Sequence, residues 1–161
     1  MTDESDAERD GADEGDAEKL TEVVRAEGHE NVSGEHASTL EFSSDDFLTP
    51  AGDCILAIEA DRVPADFDEA FVEACQDPEA TIIATIEAGE LTETVTGHGH
   101  PELSFENERS HVLRTSDYVD DRTVMVDADA AAGDLDRDLV AALAAGAEAT
   151  FTLRVSDGGD R

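Results

Sequence analysis

One unit occurs twice in this chain. LTEVVRAEGH (Leu20–His29) aligns with LTETVTGHGH (Leu91–His100) at six of ten positions. Asp53–Cys75 aligns with Asp121–Leu143, and EATIIATI (Glu79–Ile86) with EATFTLRV (Glu148–Val155). The offsets are 71, 68 and 69, so the matches keep one order with small gaps. A doubled unit predicts a fold with pseudo-two-fold symmetry and makes equivalent polar residues candidates for one shared site. Two repeats are expected, 20–88 and 91–155.

Each repeat reads as strand, loop, strand, strand, helix, strand. Alternating runs predict strands over Leu20–Glu27, His36–Phe42, Cys54–Ala60, Thr81–Ala88, Leu91–Gly97, Arg109–Thr115, Arg122–Ala128 and Ala149–Val155. In the last of these, Ala149, Phe151, Leu153 and Val155 share the inward face. Phe67, Phe71, Val72 and Cys75 take helical spacing, as do Leu135, Leu139, Val140 and Leu143. Asp66 is the expected cap of the first helix, with Glu69 as its box partner, and Asp134 starts the second. The expected fold is mainly β, an α+β domain: a single β-sandwich or barrel-like domain over 20–156 with two short helices and an internal duplication.

Charge sets the solvent this fold must live in. There are 42 acidic residues against ten basic ones, a formal charge of −32, and Lys19 is the only lysine. In dilute buffer that charge repels itself. At molar salt the Debye length is about 3 Å and most of the repulsion is screened. The composition therefore points to a salt-loaded cytoplasm. An acidic surface ordinarily argues against nucleic acid and anionic membranes as partners, and as a solvent adaptation it weakens that argument without reversing it. Met1–Lys19 carries nine acidic residues and no apolar side chain beyond alanine except Met1, the pattern of a disordered acidic tail. Residues 157–161 form a short polar end. No secretory pattern or membrane span is visible, so a cytoplasmic location is expected and no membrane partner.

Chemistry-bearing residues are few. His29 and His100 each end a Gly-His dipeptide; if their loops converge on the axis, His29, His98 and His100 become weak candidates for a metal. His36 shares its strand face with Leu40 and Phe42, and His111 shares one with Leu113, which suits a satisfied core histidine or a general base. Asp53 enters a strand through a Pro/Gly turn and either bonds the turn backbone or, with Cys54, lines a cleft. Arg114, Ser116, Asp117, Asp120 and Arg122 crowd one loop. Their arginines either fork an anionic ligand or pair with the neighbouring aspartates. No phosphate loop, nucleophile elbow or helix-borne zinc motif is present, and one Tyr, six Phe and no Trp offer no evident base-stacking platform.

GHENV (Gly28–Val32), His36 with Thr39-Leu40-Glu41, LTPAGDC (Leu48–Cys54), Ala60-Asp61, GHGHPEL (Gly97–Leu103) and the long run Arg114–Val140 together resemble the archaeal family known as domain of unknown function 371. The resemblance covers about Leu20–Val155. It implies a β-rich, jelly-roll-like sandwich with small helices and carries no established activity. Its pattern falls on Gly28, His29, Asn31, His36, Thr39, Glu41, Gly52, Asp53, Cys54, Gly97, Gly99, Pro101, Ser116, Asp117, Asp120 and Arg122. It moves weight from the paired His98 and His100 to His29, His36, Asp53 and Cys54 in the first half and Asp117 and Arg122 in the second.

The leading functional expectation is a non-catalytic binding module for a small anionic ligand or for a protein or RNA-containing partner. The alternative is an enzyme using His29 or His36 as base, Asp53 as orienter, and Cys54 or a bound metal. Neither a cofactor nor an oligomeric state is implied by the residues.

Overall fold

The computed structural model describes residues 20–156. The expected tail (1–19) and polar end (157–161) lie outside the described residues. Eight strands form two four-stranded sheets: β1 (Thr21–Glu27), β2 (Thr39–Ser43), β3 (Ile55–Ala57), β4 (Thr81–Ala88), β5 (Leu91–His98), β6 (Ser110–Arg114), β7 (Thr123–Met125) and β8 (Glu148–Ser156). Two helices, α1 (Glu69–Cys75) and α2 (Arg137–Ala144), each follow a single 3₁₀ turn, Pro64–Asp66 and Ala132–Asp134.

The first sheet runs β1-β8-β4-β5 and the second β3-β2-β6-β7. Exchange the halves, β1 for β5, β2 for β6, β3 for β7 and β4 for β8, and each order becomes its own reverse. The axis passes between central antiparallel pairs, where Ala84 opposes Leu153 in one sheet and Glu41 opposes Val112 in the other. In sequence those partners are 69 and 71 residues apart, the repeat offsets themselves. The β2–β3 and β6–β7 pairs are parallel, which sets this sandwich apart from an all-antiparallel jelly roll. The β2–β3 loop (44–54) is three residues longer than the β6–β7 loop (115–122), which accounts for the fall in offset from 71 to 68.

The sheet edges meet. Glu27 and Ile58 exchange backbone hydrogen bonds of 2.8 and 2.7 Å, and His98 and Val126 do so at 2.8 and 3.0 Å. These bridges join β1 to the end of β3 and β5 to the end of β7, so the sandwich closes toward a barrel. Between the sheets lie Leu40, Phe42, Leu56 and Leu113 on one side and Ile82, Ile86, Phe151 and Leu153 on the other, each at most 1% exposed. The alternation expected of β8 is realised: Ala149, Phe151, Leu153 and Val155 are all buried. Helix α2 packs on β5, β3 and β4, and α1 on β8.

Several boundaries differ from the sequence expectation, each for a local reason. The α1 cap is Asp68, accepting from Ala70 N at 2.8 Å, while the Asp66 carboxylate accepts from Val63 N and closes the 3₁₀ turn. Asp136 and Asp134 divide the same roles before α2. Phe67 and Leu135 are extended (ψ 151° and 157°), so each helix starts after them although both keep the helical spacing. Strands β3 and β7 stop early because Glu59 and Asp127 are left-handed, with φ of 57° and 53°. Strand β2 begins at Thr39 because the His36 ring caps the preceding turn.

Candidate functional site

The Gly-His loops do not converge. Strands β1 and β5 are the two opposite edges of their sheet, separated by β8 and β4 and antiparallel to each other. His29 and His100 therefore sit at diagonal corners, more than about 14 Å apart from strand spacing alone. Their rings do local work: His29 Nδ1 accepts from Asn31 N at 2.9 Å and His100 Nδ1 from Glu102 N at 3.0 Å. His98 is exposed at the end of β5. Among the described residues no three His, Cys, Asp or Glu side chains group in a metal-holding arrangement, so His29, His98 and His100 do not assemble the centre weighed from their sequence.

The two candidate bases are occupied as well. His36 Nδ1 accepts from Ser38 N (3.2 Å) and Thr39 N (3.1 Å), with the Thr39 hydroxyl also 3.1 Å away. A neutral imidazole accepting at Nδ1 carries its proton on Nε2 and has no second lone pair to take another. Asn107, the equivalent of His36, does the same task with its side-chain oxygen, accepting from Arg109 N and Ser110 N. Asp53 meets the His36 loop through its backbone: its carbonyl accepts from Glu35 N and His36 N. No hydrogen bond joins the Asp53 carboxylate to either histidine ring.

What the fold does bring together lies on the outer face of the second sheet, between β2 and β6 and under the two long loops. From the second half, Arg114 Nε donates to the Thr123 hydroxyl (2.9 Å) and Arg114 Nη2 to Asp120 (3.0 Å). Arg122 Nη2 donates to the same Asp120 oxygen at 3.0 Å. One carboxylate thus holds two guanidinium groups. Burial works to raise the Asp120 pKa, but the Arg122 hydrogen bonds and the charges of both arginines outweigh it and hold it at about 2. Burial likewise opposes the Arg122 charge, and Asp120, joined by Glu41 and Asp121, outweighs it. Tyr118 is 60% exposed and lies over the Arg114 guanidinium, 4.9 Å from ring centre to Cζ. Ser116 instead tucks into its own turn, accepting from Tyr118 N, and Asp117 is exposed without a hydrogen bond.

From the first half, Cys54 and Glu41 reach the same face. The Cys54 thiol donates to Glu41 Oε1 at 3.3 Å. Burial first, then the Glu41 charge and hydrogen bond, push this thiol up to about 11, so it is a neutral thiol rather than a nucleophile near pH 7. Glu41 is only 8% exposed. Glu41 falls on the family pattern but the sequence assigns it to no site, and it does not single out Thr123 or Tyr118. In a chain with 42 acidic residues composition gives one more Glu in a strand no weight, and its burial is what marks it.

A separate cleft of about 330 Å³ opens along β1 and β8, lined by Arg25, Glu27, Glu59, Asp61 and Glu148. Its acidic wall disfavours an anion, and it shares no residue with the arginine cluster.

The equivalence of the halves gives this face its meaning. Gly52 stands where Asp120 is, since Ile55 N donates to the Gly52 carbonyl as Thr123 N does to that of Asp120; Ser43 stands where Arg114 is, and Cys54 where Arg122 is. The polar set therefore occurs once, across the axis, and is not a pair of identical sites. The chain matches the family described as domain of unknown function (DUF371) over residues 24–156. It is also 38% identical over 133 residues to an uncharacterised protein of Methanocaldococcus jannaschii, covering 83% of this chain and 98% of that relative. On both the extent of the match and its identity, this chain belongs to the archaeal family of domain of unknown function 371.

Proposed function

We propose that the protein is a non-catalytic binding module for a small ligand with an anionic group, taken at the Arg114–Asp120–Arg122 cluster. The supporting observation is the single carboxylate that orients two guanidinium groups while leaving them donors to spare. Arg122 uses one Nη2 hydrogen bond to Asp120, so its Nε and Nη1 have no hydrogen bond, and its side chain is 41% exposed. Guanidinium donors held in a fixed plane match the two oxygens of a carboxylate or phosphate. Tyr118 beside them offers an apolar wall. The raised Cys54 thiol and the occupied His29 and His36 rings favour binding over the acid–base alternative. The acidic composition is read with it as an adaptation to a salt-rich cytoplasm.

The test is thermal denaturation in molar KCl against small carboxylates, phosphates, nucleotides and amino acids, with isothermal titration of any hit. A stabilising ligand whose effect disappears in Arg122→Gln supports the reading. No shift from any of them, or a shift unchanged in Arg122→Gln, overturns it.

A further inference from the structure

Glu41 and Val112 are equivalent residues, and they are directly opposed on the axis of the second sheet. Val112 is 2% exposed and Glu41 8%, so the fold buries whatever side chain stands at this position in either half. The internal comparison shows that packing here is met by an isopropyl group. Glu41 puts a carboxylate in its place, and burying a carboxylate is costly unless it is well paired. The pairing is poor. Oε1 receives one weak thiol donor from Cys54, and Oε2 receives no hydrogen bond. Arg109, one guanidinium near the Glu41 charge, is committed to Asp45 through Nε and Nη2 at 2.6–3.0 Å. Arg122, another, keeps Nε and Nη1 unused.

Val112, paired with Glu41, donates its N–H to the Arg122 carbonyl at 2.9 Å, so Glu41 and Arg122 lie in one row across the second sheet, one with a free acceptor and the other with unused donors. A ligand bearing only negative charge would meet Arg122 favourably and be repelled by Glu41. A ligand carrying a cationic N–H donor beside its anionic group would satisfy both. We infer that the ligand of this face is a small zwitterion of the amino-acid type, its carboxylate on Arg122 and its ammonium on Glu41. The inference rests on the binding reading above and narrows it from anion to zwitterion. Cys54 then acts as a positioning residue, holding Oε1 so that Oε2 is presented to the ligand.

The experiment compares each common α-amino acid with its deaminated monocarboxylate, glycine against acetate and alanine against propionate, on the full chain in molar KCl. Isothermal titration and thermal shift are read for the wild type, Glu41→Val, Glu41→Gln and Arg122→Gln. At least one amino acid is expected to bind ten-fold or more tighter than its monocarboxylate. Glu41→Val, which copies the residue already accepted at the equivalent position, should remove that preference while the chain stays folded, and Glu41→Gln should weaken it. Arg122→Gln should abolish both ligands. Equal binding of the two ligand types, monocarboxylate binding alone, or amino-acid binding unchanged in Glu41→Val and Glu41→Gln would overturn the zwitterion inference and leave the anion site standing. Absence of binding by both types, with nothing else in the wider panel bound, removes the anion site and the inference together.

Discussion

Glu41 and Val112 face each other across the β2–β6 pair and occupy the same position in the two halves of the molecule. One half therefore serves as a control for the other. Where equivalent residues agree in role, the fold accounts for both; where they part, packing alone does not dictate the residue.

Gly28 and Gly99 agree. A Cβ on Gly28 would run into the Leu143 carbonyl, and one on Gly99 into the carbonyl of Cys75, the equivalent of Leu143. Each glycine lets a strand end press against the last turn of a helix. Backbone cannot yield as a side chain tip does, so Gly28→Ala and Gly99→Ala should each destabilise by about 2–3 kcal/mol. Denaturant unfolding in molar KCl checks this, and a change below about 0.5 kcal/mol at both positions would refute the close contact.

His111 departs from Leu40, its equivalent. It is fully buried between Phe42 and Phe67, and its Nε2 lies 2.8 Å from the Arg62 carbonyl. A carbonyl only accepts, so Nε2 carries the proton and Nδ1 is left without a partner. Burial, reinforced by the Arg62 charge, drives the pKa from 6.5 down to about 4, against the pull of the Arg62 carbonyl and Asp66. The folded value lies below the unfolded one, so the unfolded chain takes the proton first. Stability from this group is whole above about pH 6.5 and is lost as pH falls toward 4, by about 3 kcal/mol. His111→Leu should flatten that part of the stability–pH curve. Parallel curves for wild type and variant between pH 4 and 7 would contradict it.

Asp120 anchors two arginines, one of which, Arg114, has a side chain only 11% exposed. Asp120→Asn should leave Arg114 uncompensated and cost about 2 kcal/mol, between the values for surface and buried pairs. The folded pKa is depressed to about 2 from 3.8, so this contribution is present above pH 3.8 and fades as pH drops through about 2. Unfolding of the variant at pH 7 reads the first effect, and a wild-type midpoint there would sink it.

Cys54 should be sluggish toward alkylating reagents at pH 7.5, because its thiol is raised to about 11. Burial is the largest cause and Glu41 the next, so Glu41→Gln should speed alkylation several-fold without reaching the rate of a free thiol. Cys75, more deeply buried and raised further, should not react in the folded chain. Mass spectrometry of timed iodoacetamide reactions separates the two sites. Faster labelling of Cys75 than Cys54 would be incompatible with this burial order.

The arrangement of elements was legible because it rests on local periodicity. Thr81–Ala88 alternates Ile82, Ala84 and Ile86 inward, and the strand has those bounds. Phe71 and Cys75, or Leu139 and Leu143, mark one helix face by spacing alone. The helix starts were not legible, because Asp66 and Asp68 are both good caps and only the extended backbone at Phe67 chooses between them. Of the site, Arg114, Asp120 and Arg122 could be read from their crowding in one loop, while Ser116 and Asp117 crowd the same loop and turn elsewhere.

The chain alone determined the doubling, which a repeat at offsets of 68 to 71 shows directly, and the order of elements and the apolar faces within each half, which follow from periodicity at short range. Only tertiary structure decided where the halves meet. Strand exchange puts β1 and β5 at opposite edges, parting His29 from His100, and puts β2 beside β6, so that Glu41 is joined to Arg122 in one row through Val112. Pairing between strands far apart in sequence is selected by burial of both halves at once, and no local pattern carries that information.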